Sequence, residues 1–157
     1  MAAWRDVVDS EPEFAERARA FLDAGVHKTI ATLRRDGSPR ISGTEAKIAD
    51  GELWFGAMWR SRKALDLRRD PRFALHSASI DPPAWEGDAK VSGHVEEIDD
   101  DERKRRLLAD ADEKPSGQWH LFVARIDEVA IVRLSGERDR LVVELWKDGE
   151  ELKRMDR

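Results

Sequence analysis

The chain has 157 residues, 40% hydrophobic and 39% charged, with a formal net charge of −5 and no cysteine. That length suits one domain with its own core, and a surface this ionic suits a protein working in water. There is no run of about 18 apolar residues to span a bilayer and no basic-then-apolar leader, so no membrane contact and a cytoplasmic location are expected; disulfides and thiolate metal or redox centres are excluded, and the acidic balance argues against general nucleic-acid binding.

Ser10-Glu11-Pro12-Glu13 reads as a capping box with proline in the first turn and predicts a helix over about residues 11–24. Phe14, Ala18, Phe21 and Leu22 recur at helical spacing, and Gly25 terminates the run. A first strand is expected from about His27 to Arg34, followed by a turn at Asp36-Gly37. A second strand, Pro39–Ala49, leads through Asp50-Gly51 to a third, Glu52–Ala57, making a meander. Ser61 is placed to cap a short helix reaching about Arg69, before Pro71 forces extended backbone. Phe73–Ser79 and Gly87–Ile98 read as strands, with Gly93 marking a bulge or a close approach. Asp100–Ala111 is a solvated helix with acids first and Arg103–Arg106 after, and Asp112–Gly117 is a polar loop. Trp119–Leu134 is a long strand, Arg140–Lys147 pairs with it, and Asp148-Gly149 turns into a short tail. The order predicts a single domain over 1–157, mainly β with flanking helices, whose six to seven mostly antiparallel strands form a barrel over about 27–147.

Arg62 and Lys63 fall in the first turn after Ser61, where cations oppose the helix macrodipole. A bound phosphate explains them, because backbone N–H groups, a hydroxyl and two cations would converge on it. A solvated basic helix end gives the same charge pattern. His27, His76, His94 and His120 show no metal-ligand spacing, so no metal site is expected. There is no nucleophile elbow, P-loop or dinucleotide fingerprint, and Asp99–Glu102 and Glu150-Glu151 read as solvated. Six tryptophans and no tyrosine make Trp59, Trp85, Trp119 and Trp146 candidates for stacking on a flat ligand, with core or interface packing as the alternative.

In order, Thr29–Leu33, Asp36–Arg40, Leu53-Trp54-Phe55, Ser61–Ala64, Asp70-Pro71-Arg72 and Lys90–Glu96 resemble the pyridoxamine 5'-phosphate oxidase-like family of split β-barrels, which includes flavin and deazaflavin oxidoreductases. The resemblance covers about residues 25–100. It implies a split barrel, a homodimer with clefts at its interface, and FMN or the deazaflavin F420 as cofactor. Position by position, Arg40, Ser61, Arg62 and Lys63 match the phosphate site. The backbone along Ser42, Gly43, Thr44 and Glu45 would lie beside the ring, and Gly56, Ala57 and Met58 would line the ring or ribityl chain. Four departures count against vitamin B6 as substrate. Glu45 stands where an oxidase of that vitamin has a basic cofactor contact, and Gly56-Ala57 replaces a tyrosine-threonine pair. Gly87-Asp88 stands where a glutamine is expected, and Glu144–Gly149 lacks the arginine–histidine substrate signature. Glu45 and the small pair at Gly56-Ala57, and a basic lane of Arg60, Arg62, Lys63 and Arg40 with Arg34 or Arg35 nearby for an acidic tail, tilt the expectation from FMN toward F420. The expected function is a flavin- or deazaflavin-dependent oxidoreductase for a small or planar organic substrate, with the redox chemistry carried by the cofactor and no catalytic side chain required. A flavin- or haem-binding barrel without turnover, and a barrel without cofactor, remain the alternatives.

Overall fold

The computed structural model describes residues 1–111 and 115–157, so part of the polar loop expected over Asp112–Gly117 lies outside the described residues. The elements are α1 (Trp4–Ser10), α2 (Pro12–Asp23), β1 (Lys28–Leu33), β2 (Pro39–Thr44), β3 (Ala46–Ala49), β4 (Glu52–Met58), α3 (Arg62–Arg69), β5 (Arg72–His76), β6 (Gly87–Glu97), α4 (Asp101–Leu107), β7 (Trp119–Leu134), β8 (Leu141–Lys147) and β9 (Lys153–Asp156). The described strands number nine rather than six or seven, and every pairing is antiparallel. None of the described helices is long and apolar enough to cross a membrane.

The sheet runs β2-β1-β5-β6-β7-β4-β3, with β8 and β9 branching from β7. One edge of the 16-residue β7 pairs with β6; the other is divided, Trp119–Val123 pairing with β4 and Glu128–Leu134 with β8. Between those halves Ile126 exchanges backbone hydrogen bonds with Ala2, its N–H donating at 2.6 Å. The N-terminal segment therefore satisfies backbone groups that neither branch reaches.

The single second strand expected over Pro39–Ala49 is two strands that separate at Glu45. β2 pairs with β1 at one end of the sheet order and β3 pairs with β4 at the other, so the bend closes the barrel through the chain itself. The buried Lys28 ammonium donates to Ala46 O at 2.9 Å, just past the bend, and its burial lowers its pKa.

Three local expectations are corrected. Ser10 does not cap α2: its hydroxyl accepts from Trp146 Nε1 at 2.8 Å, Glu11 holds the N-cap position and Pro12 opens the helix, where a missing N–H costs nothing. α1, which the sequence reading did not separate, forms ahead of it and buries Trp4 and Val7. The short tail instead contains β9, paired with β8 from Val142↔Asp156 to Leu145↔Lys153.

Alternation along β4 separates two cores. Phe55 and Ala57 face the barrel interior, where the Phe55 and Phe122 rings lie 5.7 Å apart. Trp54 faces outward and packs with Leu121, Val123, Ile98 and Leu107 beneath α4. Burial of each such large side chain stabilises the fold by about 1.5–3 kcal/mol.

Gly93 sits at the bulge in the β6–β7 ladder, where Ser92 pairs with Glu128 but Gly93 pairs with Ile126, leaving Asp127 as the extra residue. A Cβ on Gly93 would lie 2.1 Å from Arg125 O and 2.9 Å from Asp127 N, so the two backbones meet only if this residue is glycine. Gly93→Ala is expected to lower stability by about 3 kcal/mol or more in urea unfolding. Gly136→Ala, where a Cβ meets open space, should change it by less than about 0.5 kcal/mol.

Candidate functional site

The β2–β3 bend, the end of β4 and the first turn of α3 enclose a cleft of about 720 Å³. Gly43, Thr44 and Glu45 line one side, Gly56, Ala57 and Met58 another, with Trp59, Trp119 and Lys63 around them. Small residues keep it open: nothing lies within 4 Å of a Cβ built on Gly43, and one on Gly56 would meet the Trp119 ring at 3.5 Å. Thr44 Oγ1 is buried in this wall without a hydrogen-bond partner among the described residues.

Ser61 caps α3 by accepting from Ala64 N–H at 3.4 Å, and the two following cations diverge. Lys63 reaches the cleft, where Nζ donates to Gly43 O at 3.1 Å. It makes no ion pair among the described residues, and burial lowers its pKa because an ammonium without a counter-charge is poorly solvated there. An anion beside it would reverse that penalty. Arg62 instead joins Arg40, Arg34, Arg35 and Arg69 around a separate concavity of about 390 Å³. Arg40, Ser42, Ser61 and Arg62 thus stand outside the cleft lining, while Gly43, Thr44, Gly56, Ala57, Met58 and Lys63 are brought together. Ser42 is half-buried opposite Ile30 on β1.

Arg40 is held by Asp66, a buried carboxylate on α3 that accepts from Arg40 Nε at 2.7 Å, Thr32 Oγ1 at 2.9 Å and Arg69 Nη2 at 3.3 Å. Burial pushes the Asp66 carboxyl upward, but the hydrogen bonds from Arg40, Thr32 and Arg69 together outweigh it and hold its pKa below the usual carboxylate range.

The turn into α3 rests on a second network that the sequence reading missed. Trp59 stacks on the His120 ring, with centroids 4.6 Å apart and planes 12° apart. Arg60, at φ 55° in the left-handed region, donates its N–H to His120 Nε2 at 3.1 Å. Because that N–H only donates, Nε2 accepts and Nδ1 carries the hydrogen toward Glu97 Oε1, 2.5 Å away. Glu97 also accepts from Arg68 Nε at 2.8 Å. Burial raises the Glu97 pKa, but Arg68 and His120 lower it further, so the carboxylate stays charged. No local pattern links His120 on β7 to Glu97 on β6 and Arg60 in a turn; pairing of distant strands brings them together.

These contacts also sort the expected ligands. His120 has both ring nitrogens committed and cannot serve as an axial ligand while the turn is intact. His27 lines the cleft with Nε2 3.4 Å from Glu45 Oε1. Trp59 and Trp119 line the cleft, whereas Trp85 Nε1 donates to Asp88 and Trp146 is buried. Among the described residues no group of three His, Cys, Asp or Glu side chains could hold a metal ion.

The sequence model of the pyridoxamine 5'-phosphate oxidase family matches residues 14–152. The chain belongs to this family. Its fold is the split β-barrel of solved relatives. The pyridoxamine 5'-phosphate oxidase-related, FMN binding protein of Nostoc punctiforme PCC 73102 aligns with TM-score 0.62 at 16% identity, over 100% of this chain and 97% of that one. PhzG of Burkholderia lata 383, solved in complex with tetrahydrophenazine-1-carboxylic acid, aligns with TM-score 0.65 at 16% identity, over 100% and 96%. A heme binding protein of Mycobacterium smegmatis aligns with TM-score 0.59 at 17% identity, over 89% and 56%. No curated protein matches the sequence. The cleft fits a flavin-type phosphate cofactor: a cation without a counter-charge, an orphaned hydroxyl and two stretches of backbone bearing glycine face one space.

The Asp66 network has a pH signature. A carboxyl with a depressed folded-state pKa contributes stability above its unfolded value and loses it as pH falls through the folded one. Asp66→Asn should be less stable than the unmodified protein at pH 7 by about 2 kcal/mol, the gap narrowing as pH falls below about 4. Urea unfolding between pH 3 and pH 7 reads it out; a constant gap would show that Asp66 does not carry the charge.

Proposed function

We propose that the cleft binds a flavin or deazaflavin by its phosphate at Lys63, and that the protein is an oxidoreductase for a small or planar organic substrate other than vitamin B6. The observation that carries this reading is Lys63 itself: a half-buried ammonium without an ion-pair partner among the described residues, at the capped start of α3 and beside the glycine-bearing walls. The family's FMN binding member in Nostoc punctiforme supports the same cofactor class.

A bound flavin or deazaflavin supplies the hydride or electron transfer. The residues of this chain bind and orient. Lys63 holds the phosphate, the backbone of Gly43, Thr44 and Glu45 lies along the ring, and Gly56 and Ala57 leave room for its edge. Trp59, its orientation fixed on His120, and Trp119 offer flat surfaces for a planar substrate. Glu45 stands in the same cleft, so its carboxylate disfavours an anion at that end and leaves Lys63 as the anchoring point.

F420 is favoured over FMN because its acidic tail extends beyond the phosphate. Arg34, Arg35 and Arg62 make no ion pair among the described residues and, with Asp36 and the already paired Asp66, line the separate concavity that would receive that tail. A second reading, a flavin- or haem-binding barrel without turnover, rests on His27, the histidine that lines the cleft. The absorption spectrum of the purified protein separates the two, since haem gives a Soret band that Lys63→Glu leaves in place.

Titration with FMN and F420 at low and high salt tests the cofactor. Lys63→Glu should weaken both by more than about tenfold and leave the melting temperature within about 2 °C, because no ion pair is lost. Arg105→Glu, on the exposed side of α4, serves as control. F420 should bind more tightly than FMN, by a margin that shrinks as salt screens the outer arginines. Equal loss at Lys63 and Arg105 removes the phosphate site; tighter FMN binding at both salts removes the preference for F420.

We also propose a homodimer. The outer face of β1, β2, β5 and β6 carries a concavity of about 360 Å³ where Ala31, Ala74 and Ile41, the last 73% exposed, lie among Thr29, His76, Lys90 and Glu128. A second copy would cover it. Sedimentation at micromolar concentration should give twice the 17.9 kDa chain mass, reverting to monomer in Ile41→Asp; a monomer before mutation would refute it.

A further inference from the structure

A second cavity, of about 530 Å³, lies between α1, the β3–β4 hairpin and the end of α4. Trp4, Val8, Ile48 and Leu107 give it apolar walls. It shares Lys47 and Trp54 with the cofactor cleft, and these two are direct cross-strand neighbours in the β3–β4 register.

Among the described residues, folding leaves one member of this pair without an acceptor and the other without an ion-pair partner. Trp54 is 6% exposed, and its Nε1–H, which can only donate, has no acceptor among the described residues. Lys47 is half-buried and makes no hydrogen bond or ion pair among the described residues. Lys47 stands near enough to Lys28 for its repulsion to help lower the Lys28 pKa, after burial and against the opposing pull of Asp23. Arg5 and Arg19 in the same cavity are already paired, Arg5 with Glu52 at 3.5 Å and Arg19 with Asp23 at 3.2 Å. Asp9, Asp50 and Asp110 also line the cavity, but they come from α1, the hairpin turn and the chain after α4. The paired strand face that carries the two donors has no acid of its own in this lining. Two donors without acceptors beside apolar walls match a ligand with a flat apolar body and an anionic, acceptor-only end.

We propose that the Lys47–Trp54 wall is a binding site for a small planar carboxylic acid. Its carboxylate accepts from Lys47 Nζ and Trp54 Nε1, and its ring lies along Ala49, Leu107 and Ala111 on the same face. This site does not rest on the cofactor reading, although a molecule bound there adjoins the cofactor cleft.

Benzoate is the probe, with benzamide as the uncharged isostere, titrated calorimetrically into the purified protein with and without FMN. Benzoate should bind saturably with a Kd below about 1 mM. Lys47→Met should weaken it by more than about tenfold, while Lys47→Arg stays within about threefold. Trp54→Phe, which keeps an aromatic ring and removes the N–H, should weaken it by about fivefold. If Trp54→Phe does not fold, the Lys47 pair decides, since Lys47 is only half-buried on the strand that ends the sheet order. Benzoate binding should persist in Lys63→Glu, which separates this site from the phosphate site; its loss there would place the acid at Lys63 and overturn the assignment. Absence of saturable binding up to about 10 mM, benzamide binding as tightly as benzoate, or an unchanged Kd in Lys47→Met would each overturn it as well.

Discussion

A β-strand has two hydrogen-bonding edges, and β7 serves three partners with them. β6 takes one edge along its length; β4 and β8 divide the other, and Ala2 bonds Ile126 in the gap between them. This division splits the barrel. The close approach of Gly93 to Arg125 and Asp127 makes it possible, because the bulge there gives β7 an extra residue near the point where its second edge changes partner. The cleft depends on the same arrangement: pairing with Trp119, His120 and Leu121 sets the positions of Met58, Ala57 and Gly56, and through His120 the turn into α3.

Two charge networks, one around the buried Asp66 and one around the half-buried Glu97, then fix α3. Asp66 gathers Thr32, Arg40 and Arg69, and Glu97 gathers Arg68 and His120. A buried carboxylate is tolerated only when hydrogen-bonded and paired, so each network commits the cations around it. Lys63 belongs to neither. It is left facing the cleft with a carbonyl for company, which is the condition of a residue that completes its electrostatics with a ligand.

The same logic applies to the outer face of β3 and β4. Trp54 is placed by packing with Leu121, Val123 and Leu107, and that packing gives its indole N–H no acceptor. The small core beneath α4 therefore stabilises the sheet and at the same time presents an unsatisfied donor where two cavities meet.

Several features were legible in the sequence because their causes are local. Asp50-Gly51 turns the β3–β4 hairpin, Ser61 caps α3, Pro71 ends it, and Gly93 marks the bulge. The ordered strand pattern identified the split barrel, and the glycines and Lys63 of the cleft were found through the family resemblance. Other features depended on contacts between distant segments. The run Pro39–Ala49 alternates without a break signal, yet it parts at Glu45 because its halves pair with opposite ends of one sheet. α1 forms because Trp4 and Val7 have a core to enter, and β9 because β8 has a free edge. Arg40 and Lys63 look alike as sequence cations, but Asp66, buried on the far side of α3, accepts one and leaves the other to the cleft. The sequence alone determined the type of barrel and the segments around its cleft, since turns, caps and alternation act over a few residues. Only the tertiary structure decided which charges stay unpaired, because burial and long-range pairing settle that together.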